Sequence, residues 1–184
     1  MQRNEAILWL RRHPDAIHRD VDEFLRRCEE EVRARAAERT WLAAKERAEA
    51  EAEEWTHHGG YHASDAWVAK EVLPTFAKEL ETHPPTDALL QGGARLEDAS
   101  LGDVEPEARE IVDEFTRAVA ADACRRTWQE IVRFTRRCPR EWTREGRVHE
   151  ESHWERMPAY PTAASHVLHM LADEFEAHAH IRAH

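Results

Sequence analysis

"DAIHRDVDEFLRRCEEEVRARAAERTWLAAKERAEAEAEEW", Asp15–Trp55, contains neither glycine nor proline. Nothing in it breaks a helix, and Ala, Glu, Arg and Leu, all strong helix formers, dominate it. Its first half carries Ile17, Val21, Phe24, Leu25, Cys28 and Val32 at three- and four-residue steps, the spacing of one apolar helical face. That half is expected to face a core. Beyond Val32 the stripe thins to Trp41, Leu42 and Trp55 among Ala, Glu and Arg. From Arg33 to Trp55 the reading is therefore a continuous helix that either bridges solvent or packs against another chain.

The same pattern extends outward in both directions. "NEAILWLRR" reads as a short helix with Asn4 as N-cap, and His13-Pro14 closes it and opens the next. "HHGGYHASD" ends the long helix, with Gly59 suited to the left-handed closing position, and Ser64 caps a third helix carrying Trp67, Val68, Val72, Phe76 and Leu80, with a kink expected at Pro74. A long irregular connection follows, from Thr82 through Pro106. The fourth helix starts near Pro106 and carries Ile111, Val112, Phe115, Val119, Cys124, Trp128, Ile131 and Thr135. Its five-residue step from Val119 to Cys124 implies either a bend or two halves with different neighbours, and Pro139 is expected to end it. A last helix runs from about Thr162 to the C-terminus. The fold class is all-α: a single domain over residues 1–184, an irregular bundle of about five helices with one long N-terminal helix.

Composition narrows the function. The 184 residues carry a net charge of −11, which disfavours a general nucleic-acid coat or a binder of anionic membranes. No apolar run approaches the length of a membrane span, and "MQRNEAILWLRRHPDA" lacks the apolar core of a signal peptide. Cys28, Cys124 and Cys138 form no C-x-x-C pair, so they read as reduced thiols packed as small hydrophobes in a cytoplasmic protein.

Three constellations carry candidate chemistry. "RVHEESHWERM" contains His149-Glu150-Glu151-Ser152-His153, the H-E-x-x-H pattern in which one helical turn places two imidazoles on a zinc ion and a glutamate beside its water. Glu151 puts a charge inside the motif, its flanks are polar, and chance alone yields roughly 0.13 copies in a chain of this composition. Glu54-x-x-His57 and Glu150-x-x-His153 also repeat the pattern of di-iron carboxylate bundles, which needs a further glutamate on each of two other helices. Glu23 is the nearest partner for the first copy, but on one straight helix it lies about 45 Å from Glu54, so the di-iron reading fails.

On the last helix, Ala164, Val167, Leu168, Leu171 and Phe175 form a core face, while His166, His169 and Asp173 gather on the opposite side within about 60°. Their i, i+3, i+7 spacing suits a divalent metal or a pH-sensitive surface. The third constellation is "CRRTWQEIVRFTRRCPREWTREGR", where Arg125, Arg126, Arg133, Arg136, Arg137, Arg140, Arg144 and Arg147 face only Glu130, Glu141 and Glu145, a local excess of +5 in an acidic protein. With Trp128 and Trp142 nearby, such a segment suits phosphate or stacked bases, or pairs with the acidic Glu49–Glu54 run.

The preferred reading is a non-catalytic interaction module: an adaptor, a regulator or a small subunit of a larger assembly, with a protein partner or a second copy, no membrane and no cofactor. One alternative is a divalent-metal-dependent helical enzyme using His149, Glu150 and His153, or His166, His169 and Asp173. The other is a nucleic-acid-contacting subunit working through Arg125–Arg147.

Overall fold

The computed structural model describes residues 3–17, 20–57, 63–83, 105–144 and 160–181. Every regular element among them is helical: α1 (Arg3–Arg12), a 3-10 turn (Pro14–Ile17), α2 (Val21–His57), α3 (Ala63–Thr82), α4 (Pro106–Arg144) and α5 (Tyr160–Ile181). No helix among the described residues is long and apolar enough to cross a membrane.

The N-terminal boundaries differ from the sequence reading for local reasons. Helix α1 already includes Arg3, so Asn4 sits in its first turn rather than at its cap. His13 closes it: its backbone N–H donates to the carbonyl of Trp9, and its ring Nδ1, 2.9 Å from the same oxygen, donates as well. Pro14 then opens a single 3-10 turn, not the long helix. That helix starts at Val21 because Asp20 caps it. The Asp20 carboxylate accepts the Glu23 amide at 2.8 Å, and its carbonyl accepts the Phe24 amide at 3.0 Å. From Val21 to His57 the helix is continuous, as expected for Arg33–Trp55. Glu23 and Glu54 both lie on it, and the second copy of the di-iron pattern, Glu150 and His153, lies outside the described residues.

Two further boundaries moved. Helix α3 begins at Ala63, so Ser64 lies inside it, and Pro74 is accommodated within its length. Helix α4 does not stop at Pro139 but continues to Arg144. Interior proline costs about 3 kcal/mol through the missing N–H and ring clash. Burial of Cys138 and Trp142 on either side of it, with the Arg137–Glu141 ion pair across it at 2.8 Å, works against that cost. Gly59 and the connection over residues 84–104 lie outside the described residues.

Contacts group the chain into two compact units, Met1–Arg39 with Pro85–Arg126, and Thr40–Pro84 with Thr127–His184. In the first, Ala6, Leu10, Ile17, Val21, Phe24, Leu25 and Cys28 pack with Ala108, Val112, Phe115 and Val119. The backbone N–H of Glu105 donates to the carbonyl of Ala16 at 3.0 Å, just ahead of Pro106 in the first position of α4. The two halves of α4 have different neighbours, as the five-residue step implied: Ala108, Val112, Phe115 and Val119 pack in the first unit, and Trp128, Ile131 and Phe134 in the second. Ala123 takes the buried position four residues after Val119, while Cys124 is only partly buried.

The second unit contains the later halves of α2 and α4 together with α3 and α5. Its core joins Trp41, Ala44, Ala48, Ala52 and Trp55 of α2 to Val72, Leu73, Phe76 and Leu80 of α3, Trp128, Ile131 and Phe134 of α4, and Val167, Leu168, Leu171 and Phe175 of α5. The alanine-rich half of α2 is therefore a core seam, which corrects the solvent-bridging expectation. Ala44 and Ala48 are wholly buried, Leu42 on the other side is 53% exposed, and the indole Nε1 of Trp41 donates to the carbonyl of Leu80 at 2.7 Å. Methyl side chains leave room for the large partners opposite, a close fit that sequence hydrophobicity undervalues.

Ala48→Leu should overpack this seam and destabilise the protein by about 1–3 kcal/mol in urea unfolding. Leu42→Ala should change stability by less than about 0.5 kcal/mol. Equal effects of the two substitutions would mean that the alanine face is not packed.

Candidate functional site

The described arginines of the basic segment divide by their partners. Arg125 and Arg126, in the first unit, both pair with Asp122 one turn earlier on α4. In the second unit Arg133, Arg136, Arg137 and Arg140 are exposed, on the side of α4 opposite its buried Ile131, Thr135 and Cys138. A helical step of about 100° places the four within an arc of about 100°. Arg136 reaches across to α5, its Nη2 2.9 Å from Asp173 Oδ1 and 2.6 Å from Glu176 Oε2. Those hydrogen bonds hold its pKa above the ordinary value. Arg137 pairs with Glu141 at 2.8 Å and stands over the Phe134 ring at 5.7 Å. Arg133 and Arg140 make no ion pair among the described residues. The backbone of Arg144 ends α4, and Arg147 lies outside the described residues.

Among the described residues, no ion pair joins the Glu49–Glu54 run to Arg125, Arg126, Arg133, Arg136, Arg137 or Arg140. On α2 itself Glu49 pairs with Lys45, and Glu51 and Glu54 pair with Arg47. Arg47 reaches Glu51 one helical turn on and Glu54 two turns on, whereas the guanidinium of Arg136 meets the carboxylates of α5.

The proposed metal residues on α5 are placed as the helical pattern implied. His166, His169 and Asp173 are exposed, and Ala164, Val167, Leu168, Leu171 and Phe175 are buried. Their chemistry is already engaged, however. Nδ1 of His169 donates to the Ser165 carbonyl at 2.6 Å, and the Asp173 carboxylate is held by Arg136. Among the described residues no three His, Cys, Asp or Glu side chains are grouped to hold a metal ion. His149 and His153, with Glu150 between them, lie outside the described residues.

One site escaped the sequence reading. A cavity of about 200 Å³ in the second unit is lined by Leu73, Val167, Met170 and Leu171 and by Glu51, Trp55 and Glu174. Arg47 joins the two carboxylates: its Nε is 2.6 Å from Glu174 Oε1, and its guanidinium also pairs with Glu51. The indole Nε1 of Trp55 donates to Glu51 Oε2 at 3.2 Å. Burial, and then the neighbouring Glu174 charge, push the Glu51 carboxyl above its ordinary value, and Arg47 and Trp55 only partly offset them. Partial burial also works against the Arg47 charge, but the hydrogen bond to Glu174 and the attraction of Glu174, Glu51 and Glu54 outweigh it, so its pKa is raised. The available signal was Glu51 itself, a carboxylate on the inward-facing alanine seam between Ala48 and Trp55.

Comparison with known proteins brings no relative to bear: no family model matches the chain, nor does a curated protein or a solved structure.

The raised Glu51 carboxyl has a direct consequence for stability. Folding tightens proton binding at this group, so its contribution is full below the ordinary value of 4.5 and is lost as pH rises through the higher folded value. Glu51→Gln, which keeps an acceptor for Trp55, should raise Tm relative to the native protein at neutral pH, with the two melting curves converging below about pH 4. A variant less stable at neutral pH would show that the Arg47 pair outweighs burial.

Proposed function

We propose that the chain is a non-catalytic helical interaction module and that the outer face of α4 docks an acidic helix of a partner protein. The observation that carries this reading is the state of Arg133 and Arg140. In a chain with 37 acidic and 26 basic residues, both are exposed and without an ion pair among the described residues. On α2, Arg26, Arg27, Arg33, Arg35 and Arg47 each have a carboxylate partner, and Arg39 alone of its arginines is exposed without an ion pair among the described residues, whereas α4 sets Arg133 and Arg140 on one face. Arginine is suited to such a surface because its planar fork grips carboxylates bidentately and stays charged.

Arg136 supports the choice of occupant. It is gripped by Asp173 and Glu176, two carboxylates one helical turn apart on α5. An acidic helix presenting the same spacing to Arg133 and Arg140 would repeat that contact. A long nucleic acid would bring a dense run of phosphates against a protein of net charge −11, an unfavourable long-range encounter.

Binding of a fluorescent Glu-rich helical peptide, compared with a DNA duplex at the same salt concentration, tests this proposal. The peptide should bind, weaken as salt rises, and lose about tenfold in affinity with Arg133→Glu/Arg140→Glu, while Tm stays unchanged. Arg136→Glu should lower Tm instead, because it opposes Asp173 and Glu176. Binding of DNA but not peptide would favour the nucleic-acid reading. Unchanged peptide affinity in the double variant would overturn the docking face.

A further inference from the structure

The cavity beside Glu51 and Glu174 has a composition that points to a ligand class. Four aliphatic or thioether side chains, Leu73, Val167, Met170 and Leu171, make its apolar lining, and polar groups enter through Glu51, Trp55 and Glu174. Binding sites for small molecules have this form, a mostly apolar concavity with a few fixed polar groups that orient the occupant. An apolar cavity on the order of 150 Å³ accepts a benzene ring. The volume here, about 200 Å³, leaves room for such a ring and a short arm.

Charge decides what the arm must carry. Arg47 is the guanidinium shared by Glu51, Glu174 and Glu54, with the last at 3.8 Å. When the two carboxylates that line the cavity are ionised, one cation among the described residues faces two anions. Of the two, Glu51 is nine-tenths buried. A buried carboxylate short of positive charge is costly: burial first, and then the Glu174 charge, push the Glu51 carboxyl up. An anionic occupant would deepen that deficit, and a neutral one would leave it. A cation held against Glu51 and Glu174, with its hydrocarbon among Leu73, Val167 and Leu171, meets both demands of the site.

We infer that this cavity binds a small amphiphilic amine: an ammonium group held from the cavity side against Glu51 and Glu174, the carboxylates that Arg47 joins, carrying a hydrocarbon group about the size of a benzene ring. This site is separate from the arginine face, and neither depends on the other.

Calorimetric titration of the full chain with 2-phenylethylamine, 2-phenylethanol and 3-phenylpropionate tests the inference at neutral pH. The three probes share a ring and differ in the charge of the arm. The amine should bind saturably at one site, the alcohol at least about tenfold more weakly, and the carboxylate without measurable heat. Glu174→Gln should reduce amine affinity by about tenfold and leave alcohol binding nearly unchanged. Met170→Trp, which adds bulk at the partly buried edge of the cavity, should weaken both. Arg133→Glu/Arg140→Glu should bind the amine like the native chain, which separates failure here from failure of the docking face. Equal affinities for amine and alcohol, no saturable amine binding, or amine affinity indifferent to Glu174→Gln would each overturn the assignment.

Discussion

The volume of the side chains along the inner face of α2 is the constraint on which the second unit rests. Ala44 and Ala48 are wholly buried and Ala52 nearly so, between Trp41 at one end and Trp55 at the other. Each methyl contributes little burial energy of its own, yet its smallness leaves space for Leu73, Phe76, Ile131, Leu168 and Phe175, which are among the most deeply buried large residues of the unit. At native packing density those aromatic and branched side chains have no room beside a larger residue on α2. Trp41 fixes the register of α2 against α3 through the Leu80 carbonyl, and Trp55 bonds Glu51 one turn earlier on its own helix. Aromatic contacts continue the arrangement, with Trp41 and Phe76 each about 6 Å from Phe134.

The same seam explains why the cavity holds a carboxylate. Glu51 occupies the buried side of α2 one turn before Trp55 and shares its exclusion from water. Its charge is tolerated through Arg47, which also reaches Glu174 on α5. The outer face of α4 follows the opposite logic. Ile131, Phe134, Thr135 and Cys138 fill the inward positions, so the intervening arginines are carried to the surface by helical geometry. Polar chemistry in this unit thus takes two forms, a sheltered carboxylate site and an exposed cationic face.

Much of this was legible in the sequence because it depends on periodicity. The all-α class, the continuity of α2 beyond Arg33, the start of α4 at Pro106 and the inner face of α5 follow from apolar spacing and from proline in a first turn. Two of the differences share one physical cause. A hydrophobic stripe is recognised by its large residues, and here alanine carries the core. The large residues alone imply a helix that bridges solvent or packs against another chain at Ala44, Ala48 and Ala52, and they single out Cys124 where Ala123 holds the buried position. Pro139 misled in the other direction, since a local rule gave way to the burial of Cys138 and Trp142 on either side. The Glu51 site required knowing which residues of α3 and α5 lie opposite α2, and no local pattern encodes that.

Amide hydrogen exchange along α2 tests the seam most directly. Residues packed in a core exchange only through large openings, whereas a solvent-bridging helix exchanges by local fraying. The account predicts that amides from Trp41 through Ala52 are among the slowest in the chain, with protection comparable to that of Phe76 on α3 and Leu168 on α5. Rapid exchange over Trp41–Ala52 beside slow exchange at Phe76 and Leu168 would contradict it, and would return this half of α2 to the solvent.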